Sequence, residues 1–253
     1  MADTRSSLLL TLLLVGSCGS SDPEPAALRL PQSACQERVF EGSRFILCKY
    51  DAARHRIEMF AEGVNGQPLR TFEALESHLG PQASDLLFAM NGGMYDEAGR
   101  PIGLYVENGK QRHPINLNKG PGNFHLMPNG IFAVDDQGRV SVTPSSKYVG
   151  RPRWATQSGP MLVIEGKLHP AFQPNGESVN VRNGVGACGD NVAWFAISYD
   201  LVSFGRFARL FRDEFKCPDA LFLDGSVSSL WEVGGRQDRH AEVGPMIAVF
   251  KRQ

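Results

Sequence analysis

Short apolar runs cut off by two- to four-residue polar turns recur along this chain, and they confine it to a sheet-built fold. Residues 102–106 and 111–113 flank Asn108-Gly109, a dipeptide that closes a tight hairpin because both residues tolerate positive φ. Residues 131–134 and 139–143 flank Asp135-Asp136-Gln137-Gly138, and 161–164 turns at Glu165-Gly166 into 167–169. The same reading makes 39–50 and 56–60 strands around Asp51-Ala52-Ala53, with further strands at 86–90, 192–198, 221–224 and 246–250. Two segments carry a helical pattern instead: 71–78, stopped by Gly80-Pro81, and 203–215, with apolar residues at 204, 207, 208, 210, 211 and 215 behind a Ser203 cap. Strands dominate and about two helices accompany them. This predicts an α+β fold around a mixed or antiparallel sheet, with strand-end loops forming one cleft.

The first residues read as a targeting segment. Arg5 precedes an apolar run at 8–15 that is too short to span a bilayer but suits the h-region of a signal peptide. Val15-Gly16-Ser17-Cys18 resembles a lipobox, so Cys18 is expected to carry a lipid. Residues 1–17 would then be the signal peptide, 18–34 a lipid-anchored tether and 35–253 the folded domain. Gly19 stands where an Asp would hold a lipoprotein at the inner membrane, which favours an outer-membrane protein facing the periplasm.

Charge and cysteine usage narrow the partners. A net charge of -1 leaves no electrostatic footprint for nucleic acid, and no basic run binds anionic lipid, so membrane contact is expected only through the anchor. Beyond Cys18 four cysteines remain, and in an exported chain they are expected to form disulfides, with three pairings open. Cys35 and Cys48 flank the expected first strand and are close in sequence, which favours Cys35–Cys48 and Cys188–Cys217. No Cys-x-x-Cys occurs and the six histidines lack ligand spacing, so neither a metal nor a cofactor is expected.

Four polar clusters sit at strand edges. Asn91-Gly92-Gly93-Met94-Tyr95 follows one apolar strand, and Leu223-Asp224-Gly225-Ser226-Val227-Ser228-Ser229 follows another. Between them come Gln157-Ser158-Gly159-Pro160-Met161, with Gln157 and Ser158 expected just before a strand, and Arg182-Asn183-Gly184-Val185-Gly186. Each is ordinary turn chemistry by itself. Together they read as one polar site built from several loops. Pro128-Asn129-Gly130 and Asn123-Phe124-His125 add a further polar loop.

In this order the motifs closely resemble the phosphodiester glycosidase domain family, in its bacterial, exported branch, and the resemblance runs from about Cys35 to the C-terminus. The family's eukaryotic member removes N-acetylglucosamine from a phosphodiester on mannose. The resemblance implies a hydrolase that cleaves sugar 1-phosphodiester linkages, with a phosphorylated carbohydrate as partner, here in envelope or exopolysaccharide glycans. One departure stands out. The family's final motif is Asp-Gly-Gly-Gly-Ser-Ser, and Ser226 and Val227 replace two of its glycines, which is expected to narrow the approach of a ligand.

Glycosidic cleavage passes through an oxocarbenium-like state that most enzymes manage with two carboxylates. Asp224 is the first candidate, as acid or nucleophile; Glu107, Asp96 and Asp200 lie near motifs as candidates for a second. Phosphate is already a good leaving group, so holding its charge matters more than protonating it. Arg182 suits that task through a bidentate guanidinium, and its place in the matched motif raises it above a surface arginine on a strand. Asn91, Asn129, Gln157, Ser158, Asn183, Ser228 and Ser229 are candidates to bind substrate, with backbone N–H groups at Gly92, Gly93 and Gly225. A serine nucleophile is disfavoured, because no His or Lys is tied to the serines by sequence. The rival reading is a carbohydrate-binding lipoprotein without turnover. A metal-dependent phosphodiesterase ranks last for want of an Asp/His cluster.

Overall fold

The expected first strand is a hairpin. In the computed structural model, which describes residues 1–2, 34–232, 235–237 and 242–252, β1 (Cys35–Phe40) turns at Glu41 and Gly42, both at positive φ, into β2 (Ser43–Asp51). Cys18, most of the expected signal peptide and nearly all of the tether lie outside the described residues.

Three main sheets follow, and every described ladder is antiparallel. The largest runs β1-β2-β14-β13-β16-β10-β11, adding β14 (Val192–Ser198), β13 (Asn183–Ala187), β16 (Asp219–Phe222), β10 (Met161–Ile164) and β11 (Lys167–Leu168). The second runs β18-β17-β4-β19-β3, from β3 (His55–Phe60), β4 (Leu86–Asn91), β17 (Leu230–Glu232), β18 (Gly235–Gln237) and β19 (Met246–Lys251). The third runs β6-β5-β9-β7-β8, from β5 (Tyr105–Glu107), β6 (Lys110–His113), β7 (Gly130–Val134), β8 (Val140–Pro144) and β9 (Trp154–Ser158). A short pair joins β12 (Val179–Asn180) to β15 (Val202–Ser203). Gln157 and Ser158, expected just before a strand, are themselves the last residues of β9, where they pair with Ile131 and Gly130. Disulfides join Cys35 to Cys48, which face each other across the first hairpin, and Cys188 to Cys217.

The three sheets meet around Phe195 of β14. Its ring takes Phe88 of β4 and Phe132 of β7 edge-on, at centroid distances of 5.3 and 5.7 Å. Central strands of the first two sheets, such as β2, β4 and β19, are buried on both faces, which explains their unbroken apolar runs. In β2, Ile46 and Cys48 face this central core, while Phe45 and Leu47 face the helical segment above. In β4, Phe88 and Met90 face the centre, while Leu86 and Ala89 face α1 (Phe72–Leu79).

The two helices form where their caps allow. Thr71 Oγ1 accepts from Ala74 N–H at 3.1 Å to start α1, and Gly80 ends it. Ser203 Oγ accepts from Arg206 N–H at 3.2 Å to start α2 (Phe204–Arg209), which continues as a π-helical turn, Leu210–Glu214. Phe207 and Phe211 of this segment cover the large sheet. The result sets the last residues of β4, β9 and β16 near the first residues of β13 and β17, and the polar motifs occupy those ends.

Candidate active site

Asn91, at the end of β4, is 1% exposed and holds four segments together. Its Nδ2 donates to the Asp224 carbonyl at 2.7 Å. Its Oδ1 accepts from Asn183 Nδ2 at 2.8 Å and from Ser229 N–H at 2.9 Å, while Asn183 Nδ2 also lies 3.1 Å from the Asn91 carbonyl. Ser228 Oγ lies 3.3 Å from Asn183 Oδ1 and donates to the Gly225 carbonyl at 2.9 Å. The backbone adds Asp224 N–H to the Gly92 carbonyl at 3.0 Å and Leu223 N–H to the Asn183 carbonyl at 3.1 Å. Asn91, Gly92, Asn183, Asp224, Gly225, Ser228 and Ser229 therefore form one connected group. Buried amides with every partner satisfied fix a geometry, because any displacement strands a polar atom in the core.

What this network positions is the Asp224 carboxyl. Asp224 caps a short 3₁₀ turn, Gly225–Val227, and its Oδ1 accepts from Ser226 N–H at 3.3 Å. No cation pairs with it among the described residues. Burial consequently pushes its pKa up from the ordinary 3.8 to about 6, against a smaller opposing effect of the Ser226 N–H. Tyr95 shares this environment: burial and then the negative charge of Asp224 raise its phenol.

Glycine is required at Gly225 for a steric reason rather than a dihedral one. A Cβ there would come within 2.3 Å of the Phe222 ring. Of the two residues in the places of the motif's glycines, Val227 packs against the apolar cluster that includes α1, so Ser226 alone stands exposed at the carboxyl.

A second polar group adjoins the first through Gly93. Its N–H donates to Thr156 Oγ1 at 3.2 Å, and a Cβ on it would lie 2.3 Å from the Gln157 carbonyl. The Gln157 side chain is consumed within the protein. Its Oε1 accepts from Leu104 N–H at 2.8 Å and Asn116 N–H at 2.9 Å, and its Nε2 donates to the Asn116 carbonyl at 2.6 Å and Ser145 Oγ at 3.1 Å. Asn129 is equally enclosed, with Nδ2 on the Phe124 carbonyl at 2.9 Å and Oδ1 3.4 Å from Gln157 Nε2. Ser158 is buried and its Oγ finds no partner among the described residues. The Gln157 and Asn129 side chains are buried and spent within the protein, and Gln157 has no free amide group to offer a ligand.

Arg182 lies in a third group, joined to the first by its neighbour Asn183 and by Phe222. Only 1% of Arg182 is exposed. Its guanidinium rests 3.5 Å from the centroid of Phe204 and 5.5 Å from that of Phe222. Nε donates to the Val202 carbonyl at 2.9 Å and Nη2 to the Ser178 carbonyl at 2.8 Å; Nη1 makes no hydrogen bond among the described residues. Burial lowers its pKa to about 10, so it stays charged at neutral pH, with no carboxylate partner among the described residues.

The three further carboxylates stand outside this network. Asp200 accepts from the Arg44 N–H, Asp96 accepts from Arg100 N–H, and Glu107 is half-buried, its pKa raised by burial. His125 Nδ1 lies 2.7 Å from the Asn118 carbonyl. Among the described residues no cluster of His, Cys, Asp or Glu has the form of a metal site. Sequence reasoning missed Thr156, Ser145 and Asn116, which carry no motif, and Phe204, whose role depends on where the helix lands.

Comparison with known proteins identifies the family. Residues 84–250 match the phosphodiester glycosidase family. The chain is 38% identical over 184 residues to the uncharacterized protein YigE of Escherichia coli K12, covering 71% of each. Its fold resembles the zebrafish N-acetylglucosamine-1-phosphodiester alpha-N-acetylglucosaminidase catalytic domain, auto-inhibited by its pro-peptide, with a TM-score of 0.60, 12% identity, and 87% and 82% of the two chains covered. A hypothetical protein from Synechocystis matches with a TM-score of 0.61 and 14% identity over 86% of this chain, which spans 61% of that protein's length. The fold is that of a glycosidase-type hydrolase domain. The chain belongs to the phosphodiester glycosidase family.

Proposed function

We propose that the protein hydrolyses sugar 1-phosphodiesters, with Asp224 as the general acid. The observation that carries this is the Asp224 carboxyl, on a backbone held by a buried amide network, unpaired with any described cation, and raised by burial to about 6. A carboxyl of that pKa is divided between its two forms near neutrality, as an acid–base catalyst requires. In the reaction the C1–O bond breaks and the bonding pair leaves with phosphate, onto which Asp224 delivers its proton. Water supplies the hydroxyl at C1 and the proton that restores Asp224. The products are a free sugar and a phosphomonoester.

Arg182 would stabilise the phosphate, through Nη1 or through the field of an uncompensated buried cation. Envelope or exopolysaccharide glycans are the proposed source of substrate, reached by an exported protein anchored through Cys18, with the outer membrane favoured. The test is incubation of the protein with a panel of sugar 1-phosphodiesters, wild type beside Asp224→Asn. Release of free sugar by the wild type alone supports the reading. Binding of the panel without hydrolysis by either protein would replace it with a carbohydrate-binding role.

A further inference from the structure

The hydroxyls of Ser226, Ser228 and Ser229, all next to Asp224, have different fates. Ser228 Oγ donates to the Gly225 carbonyl at 2.9 Å, and Ser229 Oγ to the Val227 carbonyl at 3.0 Å. Both are thereby spent on the turn that Asp224 caps. Ser226 is exposed, and its Oγ makes no hydrogen bond among the described residues. Its φ is not positive, so no special backbone conformation accounts for the residue either.

The turn decides where that hydroxyl stands. A 3₁₀ turn spaces successive side chains by a third of a circle. Position 225 faces the Phe222 ring and Val227 packs on the apolar cluster that includes α1, which leaves Ser226 the open direction. The Ser226 N–H donates to Asp224 Oδ1 at 3.3 Å, so hydroxyl and carboxyl share one rim. Because Oδ1 accepts from that N–H, Oδ2 is left to carry the proton of the neutral acid. With Oδ2 at the bridging oxygen of a sugar 1-phosphodiester, the non-bridging oxygens lie one bond further along the same rim. Arg182 acts there mainly through its charge: its guanidinium is 5.5 Å from the Phe222 ring, and Nε and Nη2 are held by Val202 and Ser178. A phosphate bound at the turn therefore still lacks a direct donor.

Resting on the hydrolase reading above, we infer that the Ser226 hydroxyl donates to a non-bridging phosphate oxygen and so selects phosphorylated sugars over the same sugars alone. The contact is this chain's own, since the motif it departs from has a glycine at that place.

The test uses the methyl phosphodiesters of N-acetylglucosamine, glucose and mannose 1-phosphate, each beside its free sugar. Dissociation constants are read in the Asp224→Asn background, and KM and kcat with Asp224 in place. For the ester that binds most tightly, Ser226→Ala should weaken binding about tenfold, the low end for a hydrogen bond to a charged group. The free sugar should change by less than about twofold, and Ser226→Thr, which keeps the hydroxyl, should recover most of the loss. Thermal unfolding of the Ala variant should match wild type, as for other exposed positions. Equal ester affinity in Ser and Ala proteins would overturn the inference. So would a proportional loss for ester and free sugar, which would move the contact to the sugar or to the fold, and so would a Thr variant no better than Ala. Ester binding that depends on Ser226, with no ester hydrolysed by wild type, would uphold the contact and overturn the hydrolase reading instead. Failure of wild type to bind any of the esters would overturn both.

Discussion

Asn183 Nδ2 and Asn91 Oδ1 lie 2.8 Å apart although 92 positions separate them in sequence. This contact ties the start of β13 in the large sheet to the end of β4 in the second. Asn183 is fully buried, and Asn91 in turn holds the Asp224 carbonyl. One amide pair thus transmits the registry of two sheets to the backbone that carries the Asp224 carboxyl.

Asn183→Ala should therefore act on both stability and turnover. It leaves Asn91 Oδ1 with one donor fewer and Ser228 Oγ without its contact to Asn183, and stranded buried groups cost about 1–3 kcal/mol. Thermal unfolding should show that loss. Activity should fall mainly through kcat, because the substitution loosens the Asp224 loop more than it removes a substrate contact. A stable Asn183→Ala protein with wild-type kcat would remove the amide pair from any positioning role.

How much of this was readable beforehand depends on where each instruction resides. The hairpins at Asn108-Gly109 and Glu165-Gly166 are local, and their turn dipeptides announce them. The Glu41-Gly42 turn is the same dipeptide as Glu165-Gly166, with the same positive φ at both residues, yet 39–50 reads as one strand across it, which leaves β1 and β2 unseparated. β13 reads poorly for another reason. Its glycines are poor strand formers, but Gly184 and Gly186 are needed because a Cβ would come within 2.8 Å of the Leu221 carbonyl and 2.7 Å of Cys217 Sγ. The site divides in the same way. The order of the motifs singled out Asn91, Asn183 and Asp224, which the fold brings together. It did not reveal that the Gln157 amide is spent on Leu104, Asn116 and Ser145, since no local pattern separates a buried amide from one awaiting a ligand.

Gly93→Ala tests the seam between the two polar groups. Its Cβ would sit 2.3 Å from the Gln157 carbonyl and 2.5 Å from Thr156 Oγ1, against backbone that cannot yield cheaply. A destabilisation of about 1–3 kcal/mol is expected, as for other overpacked positions. Denaturant unfolding measures it, and a midpoint within error of wild type would contradict the close approach.

Arg182 makes a prediction that separates charge from shape. Arg182→Ala leaves the Val202 and Ser178 carbonyls without their donor and a gap beside Phe204, so stability and phosphodiester binding should both fall. Arg182→Lys keeps the charge but cannot lie flat on the ring or donate along the same fork, and should recover only part of the binding. Dissociation constants for one phosphodiester across wild type, Lys and Ala check this. Equal affinity in all three would take Arg182 out of ligand binding and leave it a structural cation.

Asp224→Asn should lower turnover by about 10²-fold or more while changing affinity far less, because an acid acts on the transition state. If Asp224 is the acid, wild-type kcat should fall as pH rises through about 6; a rate that instead rises through that value would make the carboxylate the working form. The same substitution should raise stability. The folded pKa of about 6 exceeds the ordinary 3.8, so between those values the native state binds more protons than the unfolded chain, and stability declines as pH rises. Below about pH 4 both states are protonated and wild type and Asn should melt alike. Above about pH 6 the native state carries an ionised, poorly solvated carboxylate that Asn lacks. The difference should plateau there at no more than about 3 kcal/mol, the equivalent of roughly two pKa units. Thermal melts of both proteins from pH 4 to 8 read it directly. A gap that stays constant over that range would mean that Asp224 is not desolvated, and the case for it as a tuned acid would fail with it.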